Sequence, residues 1–317
     1  MLKVRPPIRR AHIMVRAIAF AVAMLGIGPP AMSAERFEIA ITVDDLTGNG
    51  ELPPAATRLE VAKSYLRTLK KSGVPEAYGF VNAANLARDP DGGAVLDAWR
   101  QARYPLGNHT YSHMNLNGAP SVEDWKTDVV KGEPEIARRM AGANWHYFRY
   151  PYLAAGTDQA RHDDALASLR SRGYSIADVT VSFNDWAYSD GYARCTAKGN
   201  TAAIAAMKAQ YFKGVDDGIE RMKLLSTKLY GHTIPQVLLT HLSAWSADTM
   251  SEVMGKLDAA GARYVTLRKA QKDFAYSEED PRAGDGLLME RTAKRKGADI
   301  SDIVQIQPIE NLKTVCQ

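Results

Sequence analysis

The sequence predicts an α/β protein on a largely parallel sheet, an incomplete or complete βα barrel in preference to a doubly wound open sheet. Three observations lead there. Short β-type runs alternate with longer helix-type runs from residue 37 onward, the alternation amounts to seven or eight βα units, and unusual polar residues gather where the strands end. The length of 317 residues fits one barrel-sized unit or two ordinary domains. With 45% apolar and 24% charged residues, the chain can bury a sizeable core, which excludes disordered and collagen-like architectures.

Residues 37–43 form the first expected strand, and Leu59, Ala62, Leu66 and Leu69 follow at helical spacing until Gly73 ends the helix. Residues 77–81 give a second strand, residues 94–103 a helix and residues 105–108 a short third strand. Ser121 and Asp124 have the spacing of a capping box opening the next helix, which Pro134 should kink or restart. Residues 146–150 are a fourth strand, residues 159–172 a helix ended by Gly173, and residues 174–183 a fifth strand. A long helical region, 202–230, carries Gly214 and Gly218 as interruptions. A buried strand at 237–240, a helix at 247–260 ended by Gly261 and a last strand at 264–267 complete the pattern. After Asp273 the sequence turns polar, and Arg291, Lys294, Arg295 and Lys296 read as a solvated helix face.

The formal charge of +4 is located in the first residues. Lys3, Arg5, Arg9, Arg10 and Arg16 precede the first carboxylate, Glu35, and removing these five leaves −1 for the remainder. The folded part thus has no basic excess with which to concentrate phosphates, so no nucleic-acid partner is expected. The same stretch has the layout of an export signal: a basic start, an uncharged apolar run over residues 17–27, a Gly28-Pro29-Pro30 break, then Ala31, Ser33 and Ala34. The run is too short to span a bilayer as a helix. Cleavage after Ser33 is favoured, leaving no stable membrane span in an exported, periplasmic or secreted product. The sequence divides into this signal (1–34), a catalytic barrel (35–275) and a polar C-terminal extension (276–317). Cys195 and Cys316 either form one bridge tying the tail to the body or remain two buried thiols.

Polar residues at the strand ends carry the chemistry. Asp44 and Asp45 end the first strand, His109 and His113 follow the third, Arg149 ends the fourth, Asp185 and Trp186 follow the fifth, and His241 ends the 237–240 strand. In a parallel barrel these ends converge on the face where active sites are built. His109 and His113 are four positions apart, which places both imidazoles on one side of a single helical turn, able to share a metal ion with one carboxylate. No Glu follows the first His, so a base must come from another segment. Asp44 and Asp45 can supply both functions, since neighbours at a strand end point in different directions.

Taken in order, these segments resemble the NodB-type polysaccharide deacetylases, grouped as carbohydrate esterase family four. Thr42-Val43-Asp44-Asp45 is similar to the first motif of that family, His109-Thr110-Tyr111-Ser112-His113 to the second, Arg149-Tyr150-Pro151-Tyr152 to the third, Asn184-Asp185-Trp186 to the fourth and Leu239-Thr240-His241 to the fifth. The resemblance covers roughly residues 37–270. It implies a distorted (β/α)7-8 barrel of NodB-homology type that hydrolyses N-acetyl, or O-acetyl, groups from a carbohydrate polymer or oligosaccharide. The implied cofactor is one divalent metal, most commonly Zn2+, with Co2+, Ni2+ or Fe2+ also acceptable to two imidazoles and a carboxylate. Carried over, Asp45, His109 and His113 hold the metal, Asp44 is the base, Arg149 orients Asp44 and lowers its pKa, and Asp185 positions Arg149. Tyr152 gives its backbone N–H to the oxyanion, Trp186 lines the acetyl pocket and His241 is the general acid.

Two positions depart from the family pattern. Leu46 replaces the Gly that usually follows the two aspartates, which bears on the shape of the first loop and on which polymer fits. Leu242 replaces the Asp that often follows the last His. The remaining histidines, His146, His162 and His232, read as structural or exposed, while Trp145, Tyr188, Tyr192 and Trp245 are equally suited to stacking on sugars and to packing a barrel rim. The loops 48–54 and 191–201 are expected to choose the sugar. Alternative readings are a deformylase or esterase acting on another acylated sugar, and a catalytically silent carbohydrate-binding protein on the same fold.

Overall fold

Strand β1 (Phe37–Leu46) is the axis of the sheet, buried along its length except at Glu38 and Asp45, as expected of a parallel strand covered on both faces. The computed structural model describes residues 1–7, 36–279 and 281–317. Contacts separate Met1–Ser33 from Ala34–Gln317. Residues 1–7 carry no regular secondary structure, and the rest of the export-type leader with its expected cleavage after Ser33 lies outside the described residues. After β1 the chain forms α1 (Arg58–Lys71), β2 (Ala77–Val81), α2 (Gly92–Gln101), β3 (Leu106–Asn108), α3 (Val122–Met140), β4 (Tyr147–Phe148) and α4 (Gln159–Ser171). It continues through β5 (Ser175–Ile176), β6 (Val181–Ser182), α5 (Ser189–Ala197), α6 (Thr201–Tyr230), β7 (Gln236–His241) and α7 (Ala244–Ala259). Strand β8 (Ala262–Tyr264) and helices α8 (Leu267–Ala270), α9 (Phe274–Glu279) and α10 (Leu288–Lys296) follow.

All pairings in the sheet are parallel, in the order β5-β4-β3-β2-β1-β7-β6, with β8 also on β1. The strand expected over 174–183 is therefore two strands on opposite edges. Only residues 177–180 join them, a span of at most about 18 Å. Seven strands laid flat would hold those edges roughly 29 Å apart. The sheet must curl, and the result is the distorted barrel.

Helix-forming signals lie where the spacing placed them, and the breakers act less than expected. Thr57 and Glu60 make a reciprocal capping box at the start of α1, and the Ser121 hydroxyl accepts from the Asp124 amide to open α3. Helix α3 runs through Pro134 without restarting, since Trp125, Val129, Ile136 and Met140 bury one face on both sides of it. Helix α6 is likewise continuous through Gly214 and Gly218, with Met207, Tyr211, Val215, Met222 and Leu225 on its buried side. A Cβ on Gly218 would stand 2.8 Å from the Phe183 ring, so the missing side chain lets the helix lie against it. The last strand is shorter and earlier than expected, because Thr266 caps α8 at Leu267. Most of the expected loop 191–201 is helix α5.

The C-terminal residues are not a solvated tail. In α10, Lys294, Arg295 and Lys296 are exposed as expected, but Leu288 and Met289 are fully buried in the main core. The segment covers the seam between β5 and β6: the Leu288 amide donates to Val179 O at 2.8 Å and Arg291 pairs with Asp178 at 2.8 Å. Gly286 N donates to Leu153 O at 3.0 Å. Cys195 on α5 and Cys316 form a disulfide with Cα atoms 5.2 Å apart, closing a loop of 121 residues. The sequence had left the bridge and two separate thiols open.

Closing so long a loop removes denatured-state entropy. The variant Cys316→Ser is expected to lower the unfolding free energy by about 2–4 kcal/mol, measured as a reduced urea midpoint.

Candidate active site

Curling brings the ends of β1, β3, β4 and β7 to one mouth, where a cleft of about 560 Å³ is lined by Asp44, Asp45, His109, His113 and His241 among others. Leu46 takes no part in that lining. It is fully buried, its Cδ1 fills the space a Cβ on Gly79 would need, and its effect is on core packing and not on the cleft.

Ligand atoms of Asp45, His109 and His113 all lie within 4.8 Å of one another. Asp45 Oδ1 is 3.5 Å from His109 Nε2 and 3.4 Å from His113 Nε2. The two histidines do not share a helical turn as their spacing suggested. Residues 109–113 form a bent loop in which Thr110 (φ 60°) and His113 (φ 62°) adopt the left-handed region. Asp45 (φ 58°), Tyr152 (φ 60°) and Asn184 (φ 55°) do the same around the cleft, a concentration of costly backbone conformations that the surrounding bonds must hold. Asn108 Oδ1 accepts from the Thr110 amide at 2.9 Å, and the Thr110 hydroxyl accepts from Met114 N at 2.9 Å.

Three features fit this trio to a metal. Asp45 Oδ1 is buried with no hydrogen-bond partner, while Asp45 Oδ2 accepts from Asn49 at 2.9 Å. His109 Nδ1 lies 2.7 Å from Arg149 O, to which it can donate, leaving the Nε2 lone pair towards Asp45. Burial, helped by His113, pushes His109 down to about 3, so its ring is neutral and able to ligate.

Asp44 sits beside the trio, 3.7 Å from His109 Nε2. Arg149, fully buried, donates from Nη1 to both Asp44 oxygens at 3.2 Å, from Nη2 to Thr42 Oγ1 at 3.0 Å and from Nε to Ala177 O at 2.5 Å. The sequence reading gave Arg149 the larger influence on this carboxyl. Burial outweighs it, and Asp44 stands above its ordinary value even though Arg149, His241 and His113 pull it down.

Asp185 is placed differently from expectation: it grips His241 instead of orienting Arg149. One oxygen is 2.9 Å from His241 Nδ1, and the other accepts from His241 N at 2.7 Å and from Ser246 Oγ at 2.8 Å. The reason is topological, since the turn after β6 borders β7 and not β4. Burial alone would lower His241, but the charge and hydrogen bond of Asp185, with Asp45 and Asp44 behind them, raise it to about 9. Asp185 thus supplies the carboxylate beside this imidazole, while position 242 is a leucine.

Tyr152 and Trp186 both line the cleft, and the Tyr152 ring packs on His113 with centroids 4.4 Å apart. Trp245 and Tyr188 stack on each other in the core at 4.8 Å and are not sugar platforms. His162 is buried against Ala155 O, and exposed His232 faces Asp273. The motifs missed Asn49, Ser246 and a wall made by Gly286, Leu287, Glu290 and Ile306. Ser243-x-x-Ser246 is a readable cap signal after His241, and the Leu287-Leu288-Met289 run was the trace of the wall.

Comparison with known proteins finds the same likeness. Residues 32–177 match the sequence model of the polysaccharide deacetylase family. Among characterised relatives, the peptidoglycan-N-acetylglucosamine deacetylase of Bacillus cereus is 24% identical over 236 residues, which cover 73% of this chain and 66% of that protein. This chain therefore matches just under two thirds of that relative's length. The structure of the chitin deacetylase from Colletotrichum lindemuthianum has the same fold, with a TM-score of 0.51 and 19% identity over 76% of this chain and 90% of that one.

His241, ordinarily near 6.5 and here near 9, adds stability that is complete below about pH 6.5 and is lost as pH rises through about 9. Urea unfolding of the chelator-treated protein should show this fall, and His241→Gln should flatten it.

Proposed function

We propose that the protein is an exported, metal-dependent hydrolase that removes N-acetyl, or O-acetyl, groups from a carbohydrate polymer or oligosaccharide. The observation that carries the reading is a single cleft holding a buried carboxylate clamped by an arginine, an imidazolium clamped by a carboxylate, and a three-ligand cluster with an unpartnered Asp45 oxygen. The match of residues 32–177 to the polysaccharide deacetylase family model supports it, and the basic and apolar leader supports export to the periplasm or medium. Among the described residues no helix is long and apolar enough to cross a membrane. In this assignment residues 1–34 are the signal, 35–275 the catalytic barrel and 276–317 an extension packed on it.

Asp45, His109 and His113 would hold the metal, with zinc the first choice for that donor set. When bound, such an ion polarises an acyl oxygen and makes water acidic near neutrality. Asp44 takes the proton of the attacking water, and its raised pKa makes it a better acceptor than an ordinary aspartate. Arg149 fixes the direction in which Asp44 faces. Asp185 binds Nδ1 of His241 and so reserves Nε2 as the atom that hands a proton to the leaving nitrogen or oxygen. Because His241 rests near pKa 9, it carries that proton at neutral pH. The Tyr152 backbone N–H steadies the developing oxyanion, and Trp186 encloses the acetyl methyl group.

Acetate release from N-acetylated and O-acetylated glycans tests the proposal. Release should vanish on chelation and return with zinc. Asp44→Asn should retain the metal and lose about 10²–10⁴ in turnover. His113→Ala should no longer retain the ion, as metal analysis would show. Bound metal without acetate release from any glycan would redirect the reading to a deformylase, and absence of metal binding to a silent carbohydrate-binding protein.

A further inference from the structure

None of the five motifs contributes Gly286, Leu287, Glu290 or Ile306, yet all four line the cleft beside the metal-ligand cluster and His241. Glu290, in the first turn of α10, accepts from Arg221 Nη2 at 3.2 Å. Arg221 reaches it from α6 and is itself only 7% exposed. Its Nη1 donates to Val304 O at 3.0 Å, while its buried Nε has no hydrogen-bond partner. A small recess lined by Arg221 and Met222 shares Ser182, Leu287, Glu290 and Ile306 with the main cleft. Burying a guanidinium against one carboxylate gains little stability, because desolvation offsets most of the attraction. Its effect is to fix the Glu290 carboxylate in place at the wall of the cleft.

An ionised carboxylate only accepts hydrogen bonds, so with one oxygen held by Arg221 its remaining lone pairs call for hydroxyl donors. Sugar rings supply such donors, and Leu287 and Ile306 beside it offer apolar surface to the C–H face of a ring. A carboxylate on the ligand has no donor to offer those lone pairs and would meet like charge at the wall, which disfavours it. We infer that Glu290 is a specificity-determining residue, which binds the hydroxyls of an uncharged saccharide and rejects one bearing a carboxylate at that position. This inference rests on the deacetylase reading of the same cleft.

Binding measured without turnover tests it. The full chain carrying Asp44→Asn is titrated calorimetrically with chitotetraose and with an N-acetylated tetrasaccharide that alternates with glucuronate. Adding Glu290→Gln should weaken chitotetraose about tenfold, since the hydroxyls then bond a neutral amide oxygen in place of a charged acceptor. The same substitution should tighten the glucuronate ligand, so the preference between the two collapses, while Glu290→Asp keeps it. General loosening of α10 would weaken both ligands by the same factor, and that outcome, or two unchanged affinities, overturns the inference. Acetate release by the chain with its native Asp44 is read separately. A collapsed preference without release would sink the hydrolase reading alone, and release with an unchanged preference would sink only the role of Glu290.

Discussion

Residues 177–180 carry the chain from one edge of the sheet to the other, and the site depends on how short that passage is. Three strand spacings separate β4 from β1, roughly 14 Å in a flat sheet. Arg149 nevertheless reaches Asp44 at 3.2 Å, because curling turns the strand ends inward and a long side chain covers the remainder. Ala177, in that same passage, receives the Arg149 Nε–H. The seam therefore both bends the sheet and anchors the cation that steers the carboxylate.

Around this geometry the charges fall into two pairs of opposite design. In Asp44–Arg149 the member that lines the cleft is the anion, and burial raises its affinity for a proton. In His241–Asp185 the member that lines the cleft is the cation, and a buried carboxylate raises its affinity for a proton. One pair is suited to receiving a proton and the other to giving one. Each partner is fixed by at least one further bond, from Arg149 to Thr42 and from Ser246 to Asp185.

Much of this was readable before any coordinates. Strand-end acids, two histidines four apart and a strand ending in histidine fixed which segments meet, since a parallel barrel collects such ends on one face. What escaped was everything decided by non-local geometry. The 174–183 run has β character throughout, and no local signal marks that residues 177–180 turn a corner. The spacing of His109 and His113 suggests a helical turn, whereas a left-handed Thr110 brings the rings together by another route. The partner of Asp185 followed from strand order, which sequence does not print. In the last forty residues the charged run at 294–296 drew attention away from Leu288 and Met289, whose burial places α10 over the seam.

That placement has a consequence for how the protein is made. Synthesis proceeds from the N-terminus, so Asp44, Asp45, His109, His113, Arg149 and His241 all emerge while Leu287, Glu290 and Ile306 are still untranslated. Cys195 must wait for Cys316, 121 positions later, before it can pair. The cleft thus acquires this wall only after residue 306 has been delivered, and a copy terminated before Gly286 would carry the polar groups of the cleft without the surface that encloses them.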